Sequence, residues 1–239
     1  MTTFSYPKVS VLRRGVFLRA ILNAIATTEH DDYARLLSWD GKNYVLNSLD
    51  GKYAAIVFEG NNVVGVFFDP DSPNNPYKSH EQYETKRFFI GMPKSLQALA
   101  DQALRFNHQS YEGNTMALVT AAFWSEGEYL KAAVSWEEVL ANGAHIIRIE
   151  LIDEIDLALK EWEEQYACSP DCIALARSLF ERRMITSETS VVLSESEMRW
   201  LESHAESSEA LKDCLRALQA LRILPPQQGQ SVEKLSSRS

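Results

Sequence analysis

The sequence predicts an α+β fold, in which an antiparallel sheet built on a three-strand meander is packed by helices and followed by a helical C-terminal third. Three short apolar runs, within residues 43–49, 53–58 and 63–68, predict the meander strands because they are rich in β-branched and aromatic residues. Asp50-Gly51 between the first two runs favours a two-residue type I′ turn, and Gly60-Asn61-Asn62 between the next two has the same turn chemistry. From residue 153 onward, apolar residues recur at helical spacing.

The second and third runs are apolar at nearly every position, so we expect both faces of the sheet to be covered. The third strand is predicted to end near Asp69, because Pro70 has no N–H to donate to a neighbouring strand. A polar loop therefore leaves the end of a buried strand, a position where rigid strands commonly present functional loops.

The other predicted elements follow in chain order. Before the helical third they are a helix over 11–28, a helical or irregular link over 33–39, a strand over 86–90, a helix over 95–106, a polar loop over 107–115, a strand over 116–124, a helix over 135–143 and a strand over 145–149. The helical third holds a helix over 153–166, one from Ser169-Pro170 to about 183, and a helical pattern from Ser194 to 224 with a break near 207–208. Serines at 135 and 194, each followed three residues later by Glu, predict two capping boxes.

The 239 residues are enough for one large domain or two small ones, and we predict one α+β core over 1–152 with a helical region, 153–224, packed on it. Residues 225–239 are predicted to form a disordered tail, because they begin with two prolines and contain few apolar side chains.

Charge and cysteine content narrow the expected partners and compartment. The formal net charge of −9 disfavours a nucleic-acid partner and suits a basic protein partner. The acidic stretch over 150–164 has two interpretations, a solvated helix face or a surface for such a partner. Three scattered cysteines predict a reducing compartment, and together with an N-terminus unlike a signal peptide they predict a cytoplasmic protein. No membrane association is expected, because the most apolar helical window, residues 16–26, is too short to span a bilayer; the oligomeric state is left open.

The candidate site is the loop over residues 69–77, which we call the proline loop. The residues proposed for binding are Asp69, Asp71, Ser72, Asn75, Tyr77 and His80. Asp-x-Asp begins like a calcium loop, but proline stands at the fifth position and histidine at the twelfth, so neither a metal nor a cofactor is predicted. The loop has two interpretations: a binding surface, or a structural loop whose polar side chains cap backbone N–H groups.

Residues 65–77 resemble an element, roughly G-F-D-H-E-S-P-M-S-P-Y, of a family of uncharacterised bacterial proteins. Gly91-Met92-Pro93, Phe123-Trp124, residues 162–166 and Ile185-Thr186 are similar to later features of that family, so the resemblance covers about residues 43–193. Pro70 and Asp71 depart from the family's His and Glu. The resemblance implies a shared domain and no reaction.

Common catalytic motifs are missing from the sequence, which contains no G-x-S-x-G, H-E-x-x-H, Walker A or G-x-G-x-x-G pattern. The three cysteines have no neighbouring histidine and are expected to be buried thiols. We therefore expect a non-enzymatic, cytoplasmic protein-binding protein, one concrete version being an immunity-type partner of a basic protein. The alternative is a metal-assisted hydrolase using Asp69 and Asp71, with His80 or His108 nearby.

Overall fold

The computed structural model describes residues 6–78, 83–111, 114–186 and 189–226. Its α-helices are α1 Val9–Ala26, α2 Gln97–Arg105, α3 Trp136–Ala141, α4 Ile155–Tyr166, α5 Pro170–Ile185, α6 Glu195–His204 and α7 Ser208–Ala220. Its strands are β1 Leu37–Trp39, β2 Asn43–Asn47, β3 Tyr53–Glu59, β4 Asn62–Phe68, β5 His108–Tyr111, β6 Asn114–Ala117, β7 Ala121–Ser125, β8 Val191–Val192 and β9 Ile223–Leu224. Segments of 3₁₀-helix lie at Asp31–Arg35, Thr85–Phe89, Lys94–Leu96, Ala144–Ile147 and Ile149–Leu151.

Five strands form the main sheet in the order β1-β2-β3-β4-β7, with every neighbouring pair antiparallel. The predicted α+β class and the meander β2-β3-β4 are confirmed, and β4 ends at Phe68 as expected. Gly65 lies opposite Phe123 on β7, whose ring occupies the space that a Cβ at position 65 would need, with a closest approach of 2.5 Å. The glycine thus lets an aromatic ring of the edge strand β7 lie across β4.

Both faces of the sheet are covered, as the apolar strands predicted. One face packs against the first half of α1, α3 and the 3₁₀ segment at Ala144–Ile147, with Phe67 and Phe123 among its buried residues. The other face packs against α2, with Val64 and Val66 among its buried residues.

Helix α1 belongs to two clusters of buried residues. Its first half packs on the sheet, and its second half, which includes Ile21 and Ile25, is enclosed by α4, α5 and α7. The C-terminal region is helical, as predicted. The division of the chain at residues 152 and 224 stays a prediction, and residues 227–239 of the predicted tail lie outside the described residues.

A buried ion pair joins the two clusters at the middle of α1. Arg19, 5% exposed, donates through Nη1 to Oε1 of Glu150, 0% exposed, at 2.5 Å. The hydroxyl of Tyr44 donates to the same oxygen at 2.7 Å, and Arg19 Nε donates to the hydroxyl of Tyr166 at 3.2 Å. The expectation that the acidic stretch is solvated is therefore wrong for Glu150, whose charge is paired inside the protein.

The predicted strand over 145–149 is wrong, because this stretch forms 3₁₀-helix. Ala144, Ile147 and Glu150 are all fully buried, and a spacing of three matches the three residues per turn of a 3₁₀-helix. The sequence did not reveal this spacing of buried residues, because a glutamate is not counted as an apolar position.

The predicted strand over 86–90 is also 3₁₀-helix, at Thr85–Phe89. Strand propensity depends on an available pairing partner, and here the aromatic residues Phe88 and Phe89 pack under the sheet instead. The predicted link over 33–39 is part 3₁₀-helix and part edge strand β1.

The region from 107 to 124 divides differently from the prediction. The predicted polar loop contains β5 and pairs with β6 as a two-stranded sheet, because backbone pairing does not need apolar side chains. The single predicted strand over 116–124 breaks at residues 118–120, where the hydroxyl of Tyr83 accepts the N–H of Val119 at 2.7 Å and donates to its carbonyl at 2.8 Å.

Two further boundaries differ from the prediction. The connection between β2 and β3 is the five residues 48–52, and only Gly51 in it has a positive φ, so the predicted two-residue type I′ turn is wrong. The last helix ends at Ala220, and β9 then pairs in parallel with β8 rather than continuing the helix to residue 224. Within the described residues, no helix is long and apolar enough to cross a membrane.

Candidate functional site

The proline loop follows β4 directly and is built from three turns of three residues. The side chains of Asp69, Ser72 and Asn75 each accept the backbone N–H two residues on, at 2.8, 3.0 and 3.0 Å. Each of these residues also accepts, through its own carbonyl, the N–H three residues on, at 3.2, 3.1 and 2.9 Å. The loop is therefore a run of consecutive Asx- and Ser-type turns.

A proline follows each capping residue, which gives the loop the repeat Asp-Pro-Asp, Ser-Pro-Asn, Asn-Pro-Tyr. Proline fixes φ near the value needed at the second position of a turn, and a short polar side chain before it supplies the acceptor. This period of three is visible in the sequence and was the signal that could have predicted the geometry.

The loop is fastened to the body of the protein by two residues that the sequence analysis missed. The hydroxyl of Ser72 donates to Oδ1 of Asn142 at 2.6 Å, and the N–H of Asp69 donates to Oγ1 of Thr120 at 3.0 Å. Thr120 and Asn142 are themselves joined, because the Thr120 hydroxyl donates to the Asn142 carbonyl at 2.6 Å. Asn74 adds a bond from its side-chain amide to the Thr120 carbonyl at 3.1 Å. Asn142 caps the end of α3, so this helix holds the loop in place.

The six predicted binding residues divide into three groups. Asp69, Ser72 and Asn75 are buried, at 4%, 2% and 5% exposure, and hold the loop together. Asp71 and Tyr77 are exposed. His80 lies outside the described residues. These bonds are the ones that the structural interpretation of the loop predicts, and the binding interpretation stays a prediction.

The histidine beside Asp69 is His145, not one of those proposed from the sequence. Its Nδ1 lies 4.0 Å from Oδ2 of Asp69 and 3.2 Å from the carbonyl of Leu140. Gly143, with φ of 136°, lets the chain pass this close, since a Cβ there would lie 3.0 Å from Phe67 Cβ and 3.2 Å from Thr120 Oγ1. Sequence spacing could not reveal the pair, because 76 positions separate its members.

The electrostatic surroundings of the loop include one nearby lysine. The bond between Lys52 and Asp50 raises the pKa of that lysine, and the carboxylates of Asp69 and Asp71 raise it further. Among the residues that the structure describes, no group of three or more His, Cys, Asp or Glu side chains is arranged to hold a metal ion. Asp69 thus caps a turn, and the ion-pair partner of the nearby lysine is Asp50.

A hollow of about 310 Å³ lies beside the loop, between it, the 3₁₀ segment at Thr85–Phe89 and α3. Its lining is mostly apolar and comprises Asn74, Arg87, Phe88, Ile90, Thr120, Ala121, Ala122, Ala133, Val134, Glu138 and Asn142. Neither loop aspartate faces it. Arg87 is held at its rim, with the guanidinium 4.7 Å from the ring centre of Phe88 and 3.2 Å from Oδ1 of Asn74.

Comparison with known proteins adds no relative to this description. No protein-family model matches the chain, and neither a curated protein nor a solved structure matches it significantly.

Proposed function

We propose that this chain is a protein-binding module that acts by surface contact and carries out no reaction. The observation that carries the proposal is the hollow beside the proline loop, which presents apolar side chains to solvent in a rigid setting. Ile90 at its rim is 69% exposed and Val134 is 41% exposed. Exposed apolar patches framed by polar residues are typical of interaction sites.

The rigidity of the loop supports the same proposal. A surface whose backbone is already fixed by turns and prolines loses little conformational entropy when it binds. The network through Thr120 and Asn142 connects the loop to α3, so two of the elements that surround the hollow are bonded to each other. Such pre-organisation serves recognition and needs no reactive group.

The charge of the chain favours a basic partner. The net charge is −9, and the first turn of α3 carries Glu137 and Glu138 beside the hollow. Within the part of the chain that the structure describes, neither glutamate has an ion-pair partner. An immunity-type protein that neutralises a basic protein in the cytoplasm is the concrete version that we propose, and the three free, buried thiols are typical of a reducing compartment.

The metal-assisted hydrolase remains a prediction with less support. It needs both loop aspartates to face a pocket, whereas Asp69 is 4% exposed and bonds to the N–H of Asp71. His145 supplies a neighbouring base, but at 4.0 Å it is beyond hydrogen-bond length from Asp69.

The test is capture of partners from the native cell extract with two matched surface variants. Val134→Glu places a charge in the hollow, and Met184→Glu places one at a similarly exposed position, 43% against 41%, on α5. We expect proteins retained by the unaltered chain and by the Met184 variant to be lost from the Val134 variant. If both variants retain the same proteins, the hollow is not the binding surface.

A further inference from the structure

The outer edge of β7 is only partly paired. Trp124 and Lys131 exchange both backbone hydrogen bonds at 2.8 Å, so residue 131 forms an isolated bridge to this edge. The chain then bends at residues 133–134 and leaves the sheet. The pairing therefore stops one step short of the other end of β7.

Ala122 is the residue whose outward backbone groups this bend leaves unpaired. Backbone groups of an antiparallel strand alternate between its two sides, so the N–H and carbonyl of Ala122 point the same way as those of Trp124, away from β4. In the described part of the chain, no backbone hydrogen bond reaches Ala122 across this edge. Ala122 lines the hollow and is only 3% exposed, and an enclosed donor and acceptor of this kind needs a partner.

The walls of the hollow lie on opposite faces of the sheet. Phe88, from the 3₁₀ segment, packs in the same cluster as Ala122 on the α2 face, while α3 packs through Val139 on the other face. The hollow is thus a slot that continues the plane of the sheet beyond β7. An extended backbone added beside β7 would lie in this plane, about 4.8 Å from the strand.

We propose that an extended segment of a basic partner protein enters this slot and pairs with Ala122 as an additional antiparallel strand. This inference rests on the proposed function and specifies how the module binds. Strand addition uses main-chain bonds for affinity and alternate side chains for specificity. Lys131, already paired to Trp124, fixes where the added segment can begin.

The two faces of the slot define the segment that fits. The partner residue opposite Ala122 shares its face and meets Phe88, so it is apolar. The residues on either side of it point to the α3 face, where Glu138 lines the slot, so at least one of them is Lys or Arg. The cation that lines the slot, Arg87, lies on the Phe88 wall and is bonded to Asn74. A second copy of this chain fits less well, because two chains of net charge −9 repel each other.

Nuclear magnetic resonance of the isotope-labelled full chain tests the proposal with a synthetic probe, the amide-capped peptide Thr-Lys-Val-Lys-Thr. In the free chain we expect the Ala122 amide to exchange with solvent at least about tenfold faster than that of Trp124, because one hydrogen bond contributes of this order. The peptide should slow exchange at Ala122. N-methylation of its valine, or replacement of both lysines by Glu, should weaken binding at least about tenfold.

A charge reversal on the protein provides the matched comparison. Glu138→Lys should lose the lysine peptide and gain the glutamate peptide, whereas Glu202→Lys, an exposed change on α6, should bind as the unaltered chain does. Slow amide exchange at Ala122 in the free chain would show that its backbone groups are already paired and would overturn the proposal. Protection that grows with protein concentration alone would make the occupant a second copy and overturn the partner segment.

The failure of this inference and the failure of the proposed function are distinguishable. If the peptide leaves Ala122 unprotected while Val134→Glu still loses its captured proteins, strand addition is wrong and the binding module stands. If the peptide protects Ala122 but Val134→Glu and Met184→Glu capture the same proteins, the slot recognises strands and the hollow is not where the native partner binds.

Discussion

Replacing Arg19 by Met tests whether the buried ion pair holds the two core clusters together. The change keeps a long side chain but removes the guanidinium that donates to Glu150 at 2.5 Å and to the carbonyl of Ile146 at 3.2 Å. The glutamate is fully buried, and among the described residues its Oε2 already has no hydrogen-bond partner. Only the Tyr44 hydroxyl would then face its charge.

The expected cost is about 3–5 kcal/mol of unfolding free energy, the range for breaking a buried pair by removing one partner. This is a large part of the ~5–15 kcal/mol available to an ordinary domain. Adding Glu150→Gln removes the stranded charge while keeping an acceptor for Tyr44. Glu150→Gln alone leaves the buried guanidinium of Arg19 without a counter-charge and should destabilise the chain. Added to Arg19→Met, the same change should raise stability, so the two changes are not additive.

Urea unfolding followed by tryptophan fluorescence and circular dichroism measures all four members of this double-mutant cycle. Similar urea slopes across the four would show that only stability changed. A cost below about 1 kcal/mol for Arg19→Met, or strict additivity of the two changes, would refute the reasoning, because a solvated pair behaves in that way.

Three further predictions concern the fold. Gly15→Ala should destabilise the chain severely, because its Cβ would lie 2.0 Å from a backbone carbonyl oxygen of the neighbouring 3₁₀ segment, whereas Gly127→Ala has open space; their melting temperatures compare the two. Asp40→Ala should lower stability at pH 7 and have little effect in acid, as urea unfolding at a series of pH values can show. Burial raises the pKa of Asp40, but bonds from backbone and side-chain N–H groups outweigh this effect and leave the pKa below its ordinary value of 3.8. The stability that the carboxylate contributes is therefore lost as pH falls through that lowered pKa. A chain ending at residue 152 should not fold cooperatively, because it exposes the second half of α1 and each large side chain so exposed costs ~1.5–3 kcal/mol. A chain ending at residue 226 should have the melting temperature of the full chain. A cooperative transition in the shorter chain would make the helical third a separate domain.

The proline loop shows which features of a site can be predicted from its residue types alone. Its residue types predicted caps on backbone N–H groups, and the repeat of capping residue, proline and third residue can be recognised in the sequence alone. The residues that the loop contacts elsewhere in the chain could not be predicted from the sequence. Thr120 and Asn142 are ordinary polar residues in sequence, and they matter because β7 and α3 bring them to the same place.

By itself, the sequence determined the elements whose stability is local. The β2-β3-β4 meander followed from continuous β-branched runs, and Ser135, Ser169 and Ser194 cap their helices as predicted. Of the two predicted capping boxes, the one at Ser194 is complete, whereas Ser135 forms the N-cap bond alone. Only the tertiary structure decided that residues 144–151 are 3₁₀-helix rather than strand, and that Glu150 is buried. The physical reason is that a carboxylate is solvated unless a cation meets it inside the protein, and the cation here, Arg19, stands 131 positions away in the chain.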